Sequence, residues 1–210
     1  MNIGLGNLTE LKAQLLALSL QARADWDPII TAIGKGAAAQ MGNYCNRTFT
    51  RAVGIIDTFS ADRRHWWLRA APVEAITALA KKDSEADGFV AYTLPPDGSS
   101  LIQTMELATG YIMFIAVQGY YWSQIQVTYT GGFWFDTTEN GTGVMPPTAT
   151  ALPDDLKQAW YLQCAEIWNR RDVLGAGLAQ APEKKNALGS LELLEAVKQL
   201  INPYRRMQST

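Results

Sequence analysis

The chain is poor in the side chains that carry chemistry on their own. Among its 210 residues stand one histidine, His65, and two cysteines, Cys45 and Cys164, with no CxxC pair and no Cys/His cluster. A structural zinc site takes four such ligands at short spacing, so no metal is expected. A catalytic triad needs a histidine held beside a nucleophile, and His65 stands alone in RRHWWL on a predicted strand. It reads as an edge-strand or interface residue, and the two thiols read as small buried apolar groups.

Charge is scarce as well. Asp, Glu, Lys and Arg make up 18% of the chain, with 18 basic against 20 acidic residues and a formal net charge of -2. A protein that holds nucleic acid by neutralising phosphates carries a basic excess, so this chain is not expected to grip DNA specifically. Long apolar runs are missing too. The longest, YIMFIAV at 111–117, falls far short of the roughly 20 residues that span a bilayer, so no membrane partner is expected. Met1 to Gln14 lacks a basic start followed by an apolar run, and the expectation is a soluble intracellular product without a signal peptide. The N-x-T triplets at Asn7, Asn46 and Asn140 matter only in a secreted chain.

No GxSxG, HExxH, Rossmann or Walker string occurs. GKGAAAQMG, at 34–42, offers glycines and a lysine but lacks the full GxxxxGK[ST] string and follows no strand. Asp25 with Asp27, and Asp154 with Asp155, are acidic pairs at helix starts, where capping and the helix dipole account for them. The expectation is a non-enzyme with no catalytic residues and no cofactor.

What the chain has in quantity is aromatic and apolar surface. Seven Trp, eight Tyr and 48% hydrophobic residues are enough to bury about 70% of the unfolded surface in one good core. The same rings are enriched at protein interfaces, and composition leaves core and interface both open.

Hydrophobic spacing divides the chain into five stretches. Residues 1–50 carry two helices. The first is an amphipathic segment over 8–19, with Leu8, Leu11, Leu15 and Leu18 on one face and Asn7 and Glu10 in capping-box positions. The second runs from Asp27, read as its N-cap, through Pro28 to Asn46, with Ile29, Ile30, Ile33, Ala37, Met41 and Tyr44 on its apolar arc. Gly34, Gly36 and Gly42 interrupt it at about 1 kcal/mol each, a cost that close approach of another helix repays. Residues 51–130 turn to strand periodicity. QIQVTYT at 124–130 alternates strictly, six further strand candidates precede it, and YIMFIAV, apolar on both faces, belongs at a sheet centre. Residues 131–152 form a long Gly-, Thr- and Pro-rich loop that opens with Phe133, Trp134 and Phe135, either tucked onto the sheet or offered to a partner.

Residues 153–173 read as a helix started by Pro153 and ended by Arg170 and Arg171. Leu156, Trp160, Tyr161, Cys164, Ile167 and Trp168 fill an arc of about 140° on it, wider than one core stripe requires. Leu162 and Ala159 lie outside that arc, so the helix is expected to touch a second surface. Residues 174–210 comprise a small-residue linker, a helix capped by Ser190 that ends before Pro203, and a short basic tail. The fold class that follows is α+β: a helical core with an inserted antiparallel β-sheet region.

This order, with NYCNRTF closing a helix, APVEAITAL on a strand, VTYTGGF before the loop and LPDDLKQAWYLQCAEIWNRRDV after it, resembles the head–tail adaptor (connector) proteins of long-tailed bacteriophages. The matching positions are Tyr44 and Arg47, Pro72 and Val73, Tyr129 to Gly131, and Pro153 to Arg171, within a resemblance covering most of residues 8–172. It departs in a longer strand region, about 50–123, and in the long loop before Pro153.

The resemblance implies a virion protein assembled in the host cytoplasm and placed at the head–tail junction. It implies a homo-oligomeric ring, usually of twelve copies, between the portal and stopper or tail-completion proteins, with an axial channel for DNA. It makes residues 190–206 the candidate portal contact, with Leu191, Leu194, Val197, Leu200, Ile201 and Tyr204 as anchors and Arg205 and Arg206 as a charged rim. In a closed ring each copy has two different side surfaces. Trp160, Tyr161, Trp168, Arg170 and Arg171 are then the candidate subunit interface, and Phe133, Trp134 and Phe135 a candidate tail- or stopper-facing loop. A different neck component, stopper or tail-completion, and a monomeric ligand-binding module that uses the aromatic loop are the alternative readings.

Overall fold

The computed structural model describes residues 3–16, 24–92, 102–114, 123–138, 143–179 and 192–206. It is an α+β protein whose chain divides into two compact units, one made of residues 1–46, 135–145 and 152–210, the other of 47–134 and 146–151.

The first unit is helical. Helix α1 spans Leu8–Leu15, and Asn7 caps it by accepting a hydrogen bond from the Glu10 N–H at 2.8 Å. Leu16 is already extended, so α1 stops short of the expected end at 19, and Leu18 lies outside the described residues. Helix α2 spans Asp27–Cys45. Its N-cap is Trp26, one residue before the expected Asp27, whose carboxylate instead accepts a 2.6 Å bond from Lys12. Asn46 closes α2 in the left-handed region (φ 51°). Of the expected apolar arc Ile30, Ile33, Ala37 and Met41 are buried, whereas Ile29 is 44% exposed.

Helix α3 runs Asp154–Ala179, 26 residues. It continues past Arg170 and Arg171, which the sequence reading placed at its end; Arg170 there pairs one turn back with Glu166. Helix α4 spans Glu195–Ile201 and passes into a 3₁₀ turn at Asn202–Tyr204 that contains Pro203. The expected cap Ser190 lies outside the described residues, and the N-cap is Leu194.

Among the described residues the second unit has nine strands: β1 Ala52–Ser60, β2 His65–Trp67, β3 Val73–Lys82, β4 Val90–Tyr92, β5 Ile102–Glu106, β6 Tyr111–Phe114, β7 Gln124–Gly131, β8 Phe133–Trp134 and β9 Thr150–Ala151. Two antiparallel sheets form, ordered β1-β7-β3-β4 and β2-β6-β5. The apolar strand β6 is the middle strand of the smaller sheet, as its two apolar faces require. In the larger sheet Ile125, Val127 and Tyr129 of β7 face inward, with Gln126 and Thr128 on the other face. The inward set joins Trp66, Leu68, Leu79, Ile112 and Phe114 in one buried cluster, so both sheets close over the same core. Strands β8 and β9 pair in parallel and bring together the two ends of the 131–152 segment, which periodicity had read as loop throughout.

Candidate functional site

The aromatic helix α3 finds its second surface within its own unit. Trp160 is fully buried; its indole N–H donates to the Gly34 carbonyl at 2.9 Å, and its ring occupies space left by three glycines. A Cβ on Gly34, Gly4 or Gly6 would come within 3.1, 3.0 or 2.7 Å of that indole. Gly34 thus supplies the close helix approach its cost called for. Gly36 does not, since a Cβ there would meet nothing within 4 Å. Trp168 is 6% exposed and packs edge-on to Trp26 with ring centroids 5.4 Å apart.

This corrects two expected interface anchors. Trp160 and Trp168 are spent on the protein's own core and have little surface left for a neighbour. Tyr161 is half-buried; burial first and Glu10 second push its phenol well above its usual range. Arg170 is exposed, and the Arg171 side chain lies outside the described residues. The expected outer residue Ala159 is buried, while Leu162 is 38% exposed.

The C-terminal segment is fastened to the same helices. Val197 and Ile201 are fully buried, which removes them as exposed portal anchors; α4 packs against α3, and the Cys45 thiol at the end of α2 reaches the Ile201 carbonyl at 3.5 Å. Gln163, itself buried on α3, brackets the entry to α4: its amide accepts from the Leu194 N–H at 3.1 Å and donates to the Glu192 carbonyl at 3.4 Å. The Tyr204 hydroxyl lies 2.8 Å from both carboxylate oxygens of Asp155, and the Arg206 N–H donates to the Cys45 carbonyl at 3.0 Å. The Arg205 guanidinium sits 4.9 Å above the Tyr44 ring. Leu194, Leu200 and Tyr204 remain half-buried and Arg205 exposed, and the Leu191 side chain lies outside the described residues.

In the sheet unit the positions that carried the resemblance meet around residues 70–73. The Arg47 guanidinium donates to the Ala71 carbonyl and lies between the rings of Phe49 and Phe133, 5.3 and 5.7 Å from their centroids. The Tyr129 hydroxyl accepts from the Ala70 N–H at 2.9 Å and donates to buried Asp57 at 2.8 Å. Asp57 also accepts two 2.8 Å bonds from Arg69, and that pairing raises the guanidinium pKa further. Gly131 fits because a Cβ would stand 2.5 Å from the Ala70 carbonyl, and the Gly132 N–H donates to the Pro72 carbonyl. Arg47, Pro72, Val73, Tyr129 and Gly131 therefore act as a strut for the backbone.

Phe133 belongs to this strut. It is 6% exposed, its N–H donates to Phe49, and its carbonyl accepts from Arg51. It is tucked in and cannot serve a partner, while Trp134 and Phe135 are half-buried. Nearby, Arg51 grips Glu74 through two bonds of 2.5 and 2.9 Å, and Thr148 adds a third at 3.2 Å; the Arg51 hydrogen bond holds the Glu74 carboxyl below its usual range.

On the outer face of the smaller sheet, exposed Trp67 lies 4.9 Å from the Tyr111 ring, with His65 at 6.5 Å from Tyr111 on the same edge strand. Among the described residues no three His, Cys, Asp or Glu side chains group as a metal site needs, and no helix is long and apolar enough to cross a membrane. Cys45 and Cys164 are buried and form no disulfide, and burial pushes the Cys164 thiol up.

No family model matches the sequence, and no curated protein matches it. Solved structures do match in fold. One is a chain of the neck of an empty gene transfer agent particle, computed with C6 symmetry: 16% identity over 96% of this chain and 89% of that one, with a TM-score of 0.56. Another belongs to the neck of the native particle, computed with C12 symmetry: 17% identity over 97% and 90%, with a TM-score of 0.50. At these identities the likeness is one of fold.

Proposed function

We propose that this protein is a structural head–tail connector of a phage-like virion, a non-enzymatic adaptor forming a ring beneath the portal with an axial channel for DNA. The observation that carries it is the likeness in fold, over nearly the whole of both chains, to two chains of particle necks. The order of motifs from Tyr44 to Arg171 supports the same reading independently. A copy number of twelve fits the symmetry named for one of those necks. The portal contact is assigned to the 190–206 segment, through Leu194, Leu200, Tyr204, Arg205 and Arg206, with Leu191 at its start. The tail-facing loop reduces to Trp134 and Phe135.

Negative-stain electron microscopy of the protein mixed with the portal of the same phage tests the reading. An added tier beneath the portal ring, absent from portal alone, is the expected result, and its symmetry counts the copies. An unchanged portal beside intact, folded protein overturns the portal contact. A tier that appears only when another neck protein is supplied first would make the chain a stopper or tail-completion component, the second reading the same likeness in fold supports.

A further inference from the structure

With Trp160 and Trp168 withdrawn into the core, the ring requires another side surface. The outer face of the larger sheet has the composition of one. Its cross-strand rows run Thr58–Gln126–Ala80–Ala91 and Ile56–Thr128–Ala78, alternating with the buried row that contains Asp57, Val127 and Leu79. The wet face of an antiparallel sheet ordinarily carries charge, and both of these rows carry none. The charges of the surrounding strands are spent elsewhere. Asp57 turns inward to Arg69 and Tyr129, and Glu74 is held by Arg51. At the far end of the sheet Lys81 pairs with Asp83, and the next outer row, Ser60–Gln124–Lys82, brings a charge near this face, the Lys82 ammonium 5.4 Å from the Phe89 ring centroid.

Among the described residues no strand pairs with the neighbouring edge, whose irregularity is confined to Ala52–Ile55 and whose one charge, Asp57, points inward. Strand β1 is outermost in its sheet, and from Ile55 to Ser60 it runs in unbroken register. It has no Lys or Pro, and Val53 and Ile56 are 71% and 51% exposed. Such an edge is a template for another chain unless something covers it.

Resting on the ring reading above, we infer that these two uncharged rows and the β1 edge contact the next copy of the same chain. The electrostatics select that occupant. Two copies bring the same net charge of -2, so a contact between them is favoured where neither presents charge, whereas a contact with a different protein gains from opposite charge. Three long strands about 4.8 Å apart and six residues long present roughly 300 Å², well under the approximately 800 Å² per partner of a standard interface. Each pairwise contact is therefore weak, and copies gather by closing a ring or on a portal.

The test attaches a benzophenone maleimide to Thr58→Cys or Ala78→Cys, with Asn169→Cys on α3 as control. The native thiols are buried, so the label goes to the engineered one. The complex with portal is imaged and then irradiated. The expected result is a tier beneath the portal together with covalent dimers of this chain from positions 58 and 78, in which the labelled strand joins a different peptide of the neighbour. A tier without such dimers, or with links to portal alone, overturns the face while leaving the ring intact. A Thr58 peptide linked only to itself also overturns it, because a two-fold contact does not propagate around the ring. If no tier forms, the portal contact fails as above, and the absence of covalent dimers in the protein alone then overturns this face as well. Thr58→Arg with Ala78→Arg should lower tier occupancy at least tenfold while thermal unfolding is unchanged, and full occupancy would count against the contact.

Discussion

Trp160 is the residue on which the helical unit turns. It is fully buried, hydrogen-bonded through its indole, and set among three glycines that leave room for nothing larger. Trp160→Ala should cost about 3–5 kcal/mol by denaturant titration, since the cavity cannot collapse onto backbone. Gly34→Ala should cost about 1–3 kcal/mol from the other side of the same contact, because its Cβ would stand 2.3 Å from the Ile3 carbonyl. A loss under 0.5 kcal/mol in either variant would mean that the contact is not tight. In the sheet unit, Glu74 carries a pH signature. Its folded pKa lies below the ordinary 4.5, so its contribution is present above that value and is lost as pH falls through the folded pKa. The stability gap between the native protein and Glu74→Gln should be constant from pH 7 to 5 and close only below pH 4.5. A gap that closes above pH 5 would assign the effect to another group.

At the scale of elements, α4 is a docked helix of seven residues that would not form alone in water, so its order comes from its packing against α3. Ile201→Ala should destabilise the protein by about 2–5 kcal/mol. Leu200→Ala, at a half-buried position, should cost less than half as much while weakening the portal complex. Thermal unfolding beside portal pull-down separates the two, and equal losses of stability would refute the assignment of faces. The helices and seven of the strands were legible in the sequence because each carries its own period: Leu8 and Leu11 on α1, Ile30 and Ile33 on α2, Val127 and Tyr129 on β7. What escaped depends on tertiary contact. The wide arc of α3 predicted a second surface but not whose, since a wheel does not distinguish a neighbour's backbone from Gly4 and Gly6 of the same chain. Arg170 and Arg171 read as a helix end because cations favour that place, yet Arg170 pairs with Glu166 equally well in mid-helix. The β8–β9 pair is two residues long on each side, too short for any period to register.

The proposed connector role sets a constraint on the whole molecule, because the wall of a DNA channel must be wetted without holding the DNA. Net charge is -2, and the most basic exposed stretch among the described residues is Arg63 and Arg64 beside His65 and Trp67. This corner combines cations with an aromatic ring, the pairing that single-stranded nucleic acid favours, and it is where any grip would begin. Two arginines, however, neutralise about two phosphates, for a slope of log affinity against log salt near -2 at most. Fluorescence anisotropy with a 20-base-pair duplex at 50 mM salt should therefore detect no binding at micromolar protein. Lowering the salt to about 10 mM should raise any residual signal by less than two orders of magnitude, because the slope is so shallow. Replacing Arg63 and Arg64 by Gln should leave the duplex result unchanged. Micromolar binding with a slope of -5 or steeper would reveal a basic track that the sequence does not supply in one place. In the proposed channel, passage without retention would then no longer follow from the charge of one chain.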